Sequence, residues 1–362
     1  MKIVVFGLTV SSSWGNGHAT LWRGLFRAMA RRGHDIVFFE RDVPYYRDHR
    51  DLTALPGGDL VLFEDFAEVH TRANREVAEA DVAIVTSYCP DALAATEIVL
   101  AAPRAQRIFY DLDTPVTLAR LRNGEDVSYI GPGKLAGFDL VLSYTGGKAL
   151  DALRHDLGAR RVVPLYGHVD PEIHRPAQAQ PHYRADLSYL GTYAADRQAA
   201  VLKLFVEPAR EQREKRFLIG GAQYPAEFPW TENIHIVRHL PPSEHPAFFS
   251  SSRLTLNVTR PAMAAMGWCP SGRMFEATAC GAAVISDAWD GLDAFFCPGE
   301  EILIARDGAD VLAALDRGEV ELRRIAEAGR ARTLAEHTSD SRLDDLERAL
   351  SDVRVLEPVG GL

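Results

Sequence analysis

The chain has 362 residues, 47% of them hydrophobic and 25% charged, with 50 acidic and 40 basic side chains and a formal net charge of −10. That length favours two domains, and the apolar fraction supplies buried cores and excludes wholesale disorder. The acidic balance argues against nucleic acid or an anionic membrane as bulk partners, so any phosphate the chain binds must sit in a local pocket.

The predicted elements begin with a strand at Ile3–Phe6, followed by runs at 36–39, 60–63, 82–85, 108–110 and 140–142. Continuous apolar runs of this kind suit strands covered on both faces of a parallel sheet. Between the first two lies an amphipathic helix, with Trp22, Leu25, Phe26 and Met29 on one face and Arg23, Arg27 and Arg31 on the other. Gly33 stops it before the next strand. Strand, helix, strand in this rhythm implies right-handed βαβ units and a doubly wound sheet. A polar, proline-rich stretch near 166–184 reads as a linker. A second series follows at 187–190, 217–219, 234–237, 254–258, 283–286 and 302–304, and charged helical segments near 319–335 and 340–353 close the pattern.

The expected fold class is therefore α/β, two Rossmann-like doubly wound parallel-sheet domains. Residues 1–168 form an N-terminal acceptor-side domain and 169–340 a C-terminal donor domain. A C-terminal helix and tail, 341–362, is expected to return to the N-terminal one. Ligands in such folds sit beyond the carboxyl ends of the strands, here expected in the cleft between the domains. No apolar run approaches the roughly 20 residues of a membrane helix, and the first residues lack the marks of a signal peptide. The cytoplasm is the expected location. Cys89, Cys269, Cys280 and Cys297 show no CxxC pair and read as reduced thiols, not zinc ligands.

Three segments can carry chemistry. The loop after the first strand holds Gly15-Asn16-Gly17-His18, where glycines let the backbone approach an anion at a helix start. Thr20 stands where a dinucleotide fingerprint wants a third small residue, although Glu40 imitates its acidic ribose ligand. Asp111 and Asp113 end the fifth strand; alternation sends both to one side, as acceptor-facing or basic groups, as metal ligands, or as turn caps. The sharpest pattern is Pro270 to Gly281, a helix with Ser271 as N-cap and Gly281 as stop. Arg273 and Glu276, at i and i+3, project from one face of its first turns. The helix-start amides of Ser271 and Gly272 with Arg273 suit a diphosphate, and Glu276 suits ribose hydroxyls; the alternative is a plain surface ion pair. His235, His239 and His245 suggest a metal cluster, but a strand does not aim such rings together, and no metal is expected.

These segments, with Tyr189–Tyr193, Gly220–Pro225, Leu256–Arg260 and Ile285–Leu292, resemble the CgeB-like, spore-maturation-type glycosyltransferase family of GT-B fold. More broadly the chain is similar to retaining family 4 type glycosyltransferases. Glu276 matches the second of that family's paired donor-site glutamates, the one that binds ribose. The first falls at Trp268, a departure that leaves sugar identity and stereochemical course open. The resemblance implies that Arg260 and Arg273 hold the diphosphate, that Thr192, Tyr193, Gln223 and Tyr224 border the donor, and that Gly15 to His18 close over it. It implies a hexosyltransferase-like enzyme taking a UDP, GDP or dTDP sugar, with no required cofactor or metal. The acceptor is a small molecule, glycan or protein, deprotonated or oriented by His18 or Asp113. A sugar-nucleotide epimerase or hydrolase, or a non-catalytic sugar-nucleotide-binding protein on the same fold, stays as an alternative. Oligomeric state has no signature in the sequence.

Overall fold

A computed structural model of the protein describes residues 1–15 and 17–356. The chain divides into two compact units, Met1–Tyr166 together with the segment from Ser339, and Gly167–Thr338.

The N-terminal unit is built on strands β1 (Lys2–Gly7), β2 (Asp35–Arg41), β3 (Gly58–Phe63), β4 (Val82–Thr86), β5 (Gln106–Asp111), β6 (Leu140–Ser143) and β7 (Val162–Pro164). They form one parallel sheet in the order β3-β2-β1-β4-β5-β6-β7. The central strands are buried on both faces, which is why they read as unbroken apolar runs, whereas edge strand β3 alternates. β7 has no counterpart among the expected strands: it is three residues long and ends in proline, a combination tolerated at a sheet edge. Helix α1 (His18–Arg31) buries Trp22, Leu25, Phe26 and Met29 on the sheet, as its spacing requires. Helix α2 (Thr114–Arg122) follows β5.

The C-terminal unit holds β8 (Ala185–Leu190), β9 (Phe217–Gly221), β10 (Ile234–Arg238), β11 (Ser252–Asn257), β12 (Ala283–Asp287) and β13 (Leu303–Ala305), all parallel, in the order β10-β9-β8-β11-β12-β13. Helices α3 (His245–Ser250), α4 (Gly272–Ala279) and α5 (Glu319–Glu336) pack around it. α6 (Ser339–Leu356) then belongs to the first unit, where Leu343, Leu346, Leu350 and Val353 share a core with α1. Arg32 reaches Asp344 and Glu347 at 2.6 Å each, fixing the register of α6 on α1.

Strand order changes direction between β1 and β4 in one sheet and between β8 and β11 in the other, with all strands parallel. Those are the switch points where doubly wound folds open a binding crevice. The loops after β1, β8 and β11 leave from them and carry Gly15, Gly17, Thr192, Tyr193 and Arg260.

Candidate functional site

In the C-terminal unit the construction starts with α4. Ser271 accepts a hydrogen bond from the Arg273 amide at 3.3 Å and caps the helix, and Gly281 takes φ +79° to end it. Met274, Phe275, Ala277 and Thr278 face the core, and Thr278 bonds Thr333 of α5 at 2.6 Å. That burial turns Arg273 and Glu276 to the less covered face.

Arg273 sits with its guanidinium carbon 5.9 Å from the ring centroid of Tyr189, a buried residue of β8. Among the described residues its guanidinium has no ion-pair partner and no hydrogen-bond acceptor. Burial lowers its pKa from the ordinary arginine value and the nearby charge of Arg197 adds to this, opposed by Tyr189 and Glu276. A half-covered cation of this kind is short of an anion. Arg197 donates to the Thr192 carbonyl at 2.7 Å, while its buried Nε–H has no acceptor among the described residues. The structure thus brings Arg197 beside Arg273, a pairing the sequence did not signal. Arg260 is more exposed and holds Asp196 at 2.7 Å, a surface pair that contributes little and can be exchanged for a stronger anion.

The loops after β8 and β9 lock together beside these arginines. The Tyr224 hydroxyl donates to the Gly191 carbonyl at 2.9 Å, and the Tyr193 amide to Ala222 at 2.9 Å. The two tyrosine rings meet edge to face at 5.7 Å. Burial raises the Tyr224 pKa, so its hydroxyl stays protonated and donating. Gln223 adopts φ +65°, an uncommon conformation for a non-glycine residue.

Glu276 lies with Oε2 3.7 Å from Nδ1 of His245 on α3. Burial by itself would raise its pKa; His174, His245 and Arg273 outweigh that and bring it to about 2, so the group is an acceptor throughout the working pH range. His174, His245 and Glu276 offer one ligand atom each, all within 4.8 Å of one another. His245 therefore turns to Glu276 and His174, not to His235 and His239 as the clustered histidines of the sequence suggested. Trp268, at the position of the absent first glutamate, has φ +50° and is 37% exposed. Its indole lies flat against Gly291, where a Cβ would come within 2.4 Å of the ring.

In the N-terminal unit His18 opens α1, with Nε2 3.7 Å from Asp113 Oδ2 and its ring 5.8 Å from Tyr88. Its Nδ1 has no hydrogen-bond partner among the described residues. Asp111 departs from the expected acceptor-facing place: it is fully buried, and its Oδ1 accepts from the Asp113 amide and the Thr117 hydroxyl, both at 3.1 Å. The chain leaves the strand at Asp111, so alternation no longer aligns it with Asp113, which stays partly exposed beside His18. Burial lifts the Asp111 pKa to about 6, reinforced by Asp113 and opposed by the Asp113 amide and Thr117. Glu40 is likewise buried and committed. It accepts from Thr9 at 2.8 Å, from the Val10 and Ser11 amides at 2.7 and 3.0 Å, and from the Ser11 hydroxyl at 2.5 Å. It shapes the loop after β1 and leaves no carboxylate edge for a ribose, which removes the support for a dinucleotide fingerprint. Gly15 needs its glycine, with φ +66° and the Tyr45 hydroxyl 2.8 Å from a would-be Cβ; Gly17 has open space. Asn16 lies outside the described residues.

Residues 197–348 match the family model Glyco_trans_1_2, described as glycosyl transferase-like. Over that stretch the chain is similar to glycosyl transferases. That match covers α4 with Arg273 and Glu276, together with Arg197 and His245. Solved structures agree on the fold across nearly the whole length. Sucrose-phosphate synthase from Thermosynechococcus elongatus superposes with a TM-score of 0.70 at 14% identity, covering 98% of this chain and 99% of that one. HepE of Anabaena, in complex with UDP and glucose, gives 0.67 at 11% identity, covering 97% and 100%. An alpha-glucosyltransferase in complex with UDP and DNA gives 0.70 at 12% identity, covering 97% and 99%. The fold shared with these structures is GT-B, with two parallel-sheet Rossmann-like domains. No curated protein sequence matches the chain. No described helix is long and apolar enough to cross a membrane.

Proposed function

We propose that the protein is a CgeB-like glycosyltransferase that moves a sugar from a nucleotide-diphosphate sugar to a hydroxyl-bearing small molecule, glycan or protein. The N-terminal unit serves the acceptor and the C-terminal unit the donor. The observation that carries this reading is Arg273, a half-covered guanidinium with no carboxylate partner among the described residues, beside the Nε–H of Arg197, which finds no acceptor among them, and the opening of a capped helix. As the glycosidic C–O bond breaks, its electron pair stays on the diphosphate. Cations and amides fixed in advance at that place stabilise the developing charge by several kcal/mol, about 2.7–4 for one well-placed donor. Because protein cations do this work, the transfer needs no metal. Arg260 joins them by exchanging Asp196 for phosphate. Glu276, ionised and half-covered, accepts from the ribose hydroxyls.

On the acceptor side His18 takes the hydroxyl proton on Nδ1, the nitrogen without a partner among the described residues, while Asp113, 3.7 Å from Nε2, orients the ring and stabilises the imidazolium. Asp111 braces the turn that places Asp113. Retention at the anomeric carbon is the course we propose, on the likeness to the family 4 type. The anomeric coupling constant of the first-formed product checks it, and an inverted product would assign the His18–Asp113 pair the role of the base in a single displacement. The net charge of −10 speaks against DNA as acceptor.

The test is binding of UDP, GDP and dTDP to the full chain, followed by mass spectrometry of donor turnover with the best binder. Binding lost in Arg273→Ala and turnover that depends on an added acceptor support transfer. Nucleotide release independent of any acceptor would point to a hydrolase.

A further inference from the structure

His174, His245 and Glu276 come from three separate stretches of the C-terminal unit: the segment after Gly167, the start of α3, and the middle of α4. His174 is 2% exposed, and the side chains of His245 and Glu276 are 14% and 13% exposed. The imidazole rings lie 6.0 Å apart between centroids, Nδ1 of His245 is 3.7 Å from Glu276 Oε2, and the three ligand atoms fall within 4.8 Å of one another. In a tetrahedral site with bonds of about 2.1 Å, ligand atoms stand roughly 3.4 Å apart. A contraction of up to about 1.4 Å, within reach of side-chain rotation, brings this set onto an ion. Two imidazoles and a carboxylate form the donor set of Zn²⁺ and its neighbours, whereas Mg²⁺ and Ca²⁺ prefer an all-oxygen shell.

We propose that His174, His245 and Glu276 form a site for a divalent transition-metal ion such as Zn²⁺, and that an ion held there withdraws Glu276 from the donor ribose, so that metal and nucleotide compete. The second half rests on the ribose role given to Glu276 above; the first half does not. Arg273 lies close enough to Glu276 to affect its charge, so it repels a dication as well. That repulsion makes the site an exchangeable one and separates it from a permanent structural zinc. The ion takes no part in sugar transfer. It acts as an inhibitor of a reaction that needs no metal.

The experiment uses the full-length, untagged chain and Co²⁺ as a visible stand-in for Zn²⁺. One equivalent is expected to bind with the intense d–d absorption of a low-coordinate N/O site. His245→Ala and His174→Ala abolish the band. Arg273→Ala keeps it while losing nucleotide affinity, which separates this site from the donor reading. UDP, or whichever nucleoside diphosphate binds best, is expected to weaken Co²⁺ at least tenfold, and Zn²⁺ to weaken the nucleotide by the same factor. Far-UV circular dichroism shows whether each variant is folded. The milder His245→Gln, which removes the imidazole while keeping bulk, serves if the alanine form is not. No saturable band with the wild-type chain, or a band unchanged in both folded histidine variants, overturns the site. Simultaneous binding of metal and nucleotide without mutual weakening overturns the competition and leaves the site standing. A chain that binds Co²⁺ but no nucleotide overturns the competition and the proposed function, not the metal site.

Discussion

Asp111 gives the N-terminal unit a pH dependence of unusual sign. Most carboxylates that are paired in the native state add stability as pH rises, and Asp51 and Glu76 belong to that kind, each with its pKa lowered. Asp111 is fully buried, has one oxygen without a hydrogen-bond donor among the described residues, and has its pKa raised from 3.8 to about 6. Between those two values the native state holds a proton that the unfolded chain has released, so stability falls as pH climbs through this window. A shift of about two units, at about 1.4 kcal/mol each, amounts to roughly 3 kcal/mol fully lost by pH 7. Asp111→Asn removes the titration and keeps an acceptor for the Asp113 amide and Thr117. Its new amide protons lack a partner, which costs about 1–3 kcal/mol at every pH. The decisive readout is therefore the slope. A chain of two compact units is not assured of two-state unfolding, so hydrogen exchange of peptides from β5, followed from pH 4 to pH 7, is the assay. The wild-type opening free energy should fall relative to that of Asp111→Asn by roughly 3 kcal/mol across the range. Parallel curves for the two proteins would refute the reasoning.

Gly291→Ala should destabilise the C-terminal unit by about 1–3 kcal/mol, because φ +84° is strained for alanine and its Cβ would strike the Trp268 ring; hydrogen exchange of peptides from β12 reports it. Pairing Gly291→Ala with Trp268→Ala should recover the steric part and leave the backbone part. Glu276→Gln should weaken a nucleoside diphosphate roughly 10- to 100-fold without weakening inorganic pyrophosphate, measured by calorimetry, since the ribose contact is lost while the negative charge near Arg273 is removed. His18→Ala should lower kcat by about 10²- to 10⁴-fold with nucleotide affinity intact. Equal losses in kcat and in nucleotide binding would remove His18 from the base role.

Much of this arrangement is written in short-range patterns. The α4 segment declares itself through Ser271, Gly281 and the spacing of Arg273 to Glu276, because caps and helical periodicity act over a few residues. The strands of both sheets show as apolar runs because both their faces are buried. What stayed hidden depends on distant partners. Arg197 looks like any surface arginine until the sheet places its loop beside α4. His174 and His245 are far apart in sequence, and only the fold sets them around Glu276. Asp111 and Asp113 share a motif but not an environment, since strand alternation ends where the chain turns. Glu40 imitated a ribose ligand because sequence shows a carboxylate at a strand end without showing the four donors that occupy it.

Arg273, with no carboxylate partner among the described residues, is the centre of the proposed donor site. Isothermal titration of the full chain with UDP, GDP and dTDP, repeated with Arg273→Ala, tests it most directly. At least one of the three should bind the wild-type chain and lose affinity at least about tenfold in the variant, as the removal of a charged hydrogen bond to phosphate requires. Equal affinity for both proteins, or no binding to either, would contradict it.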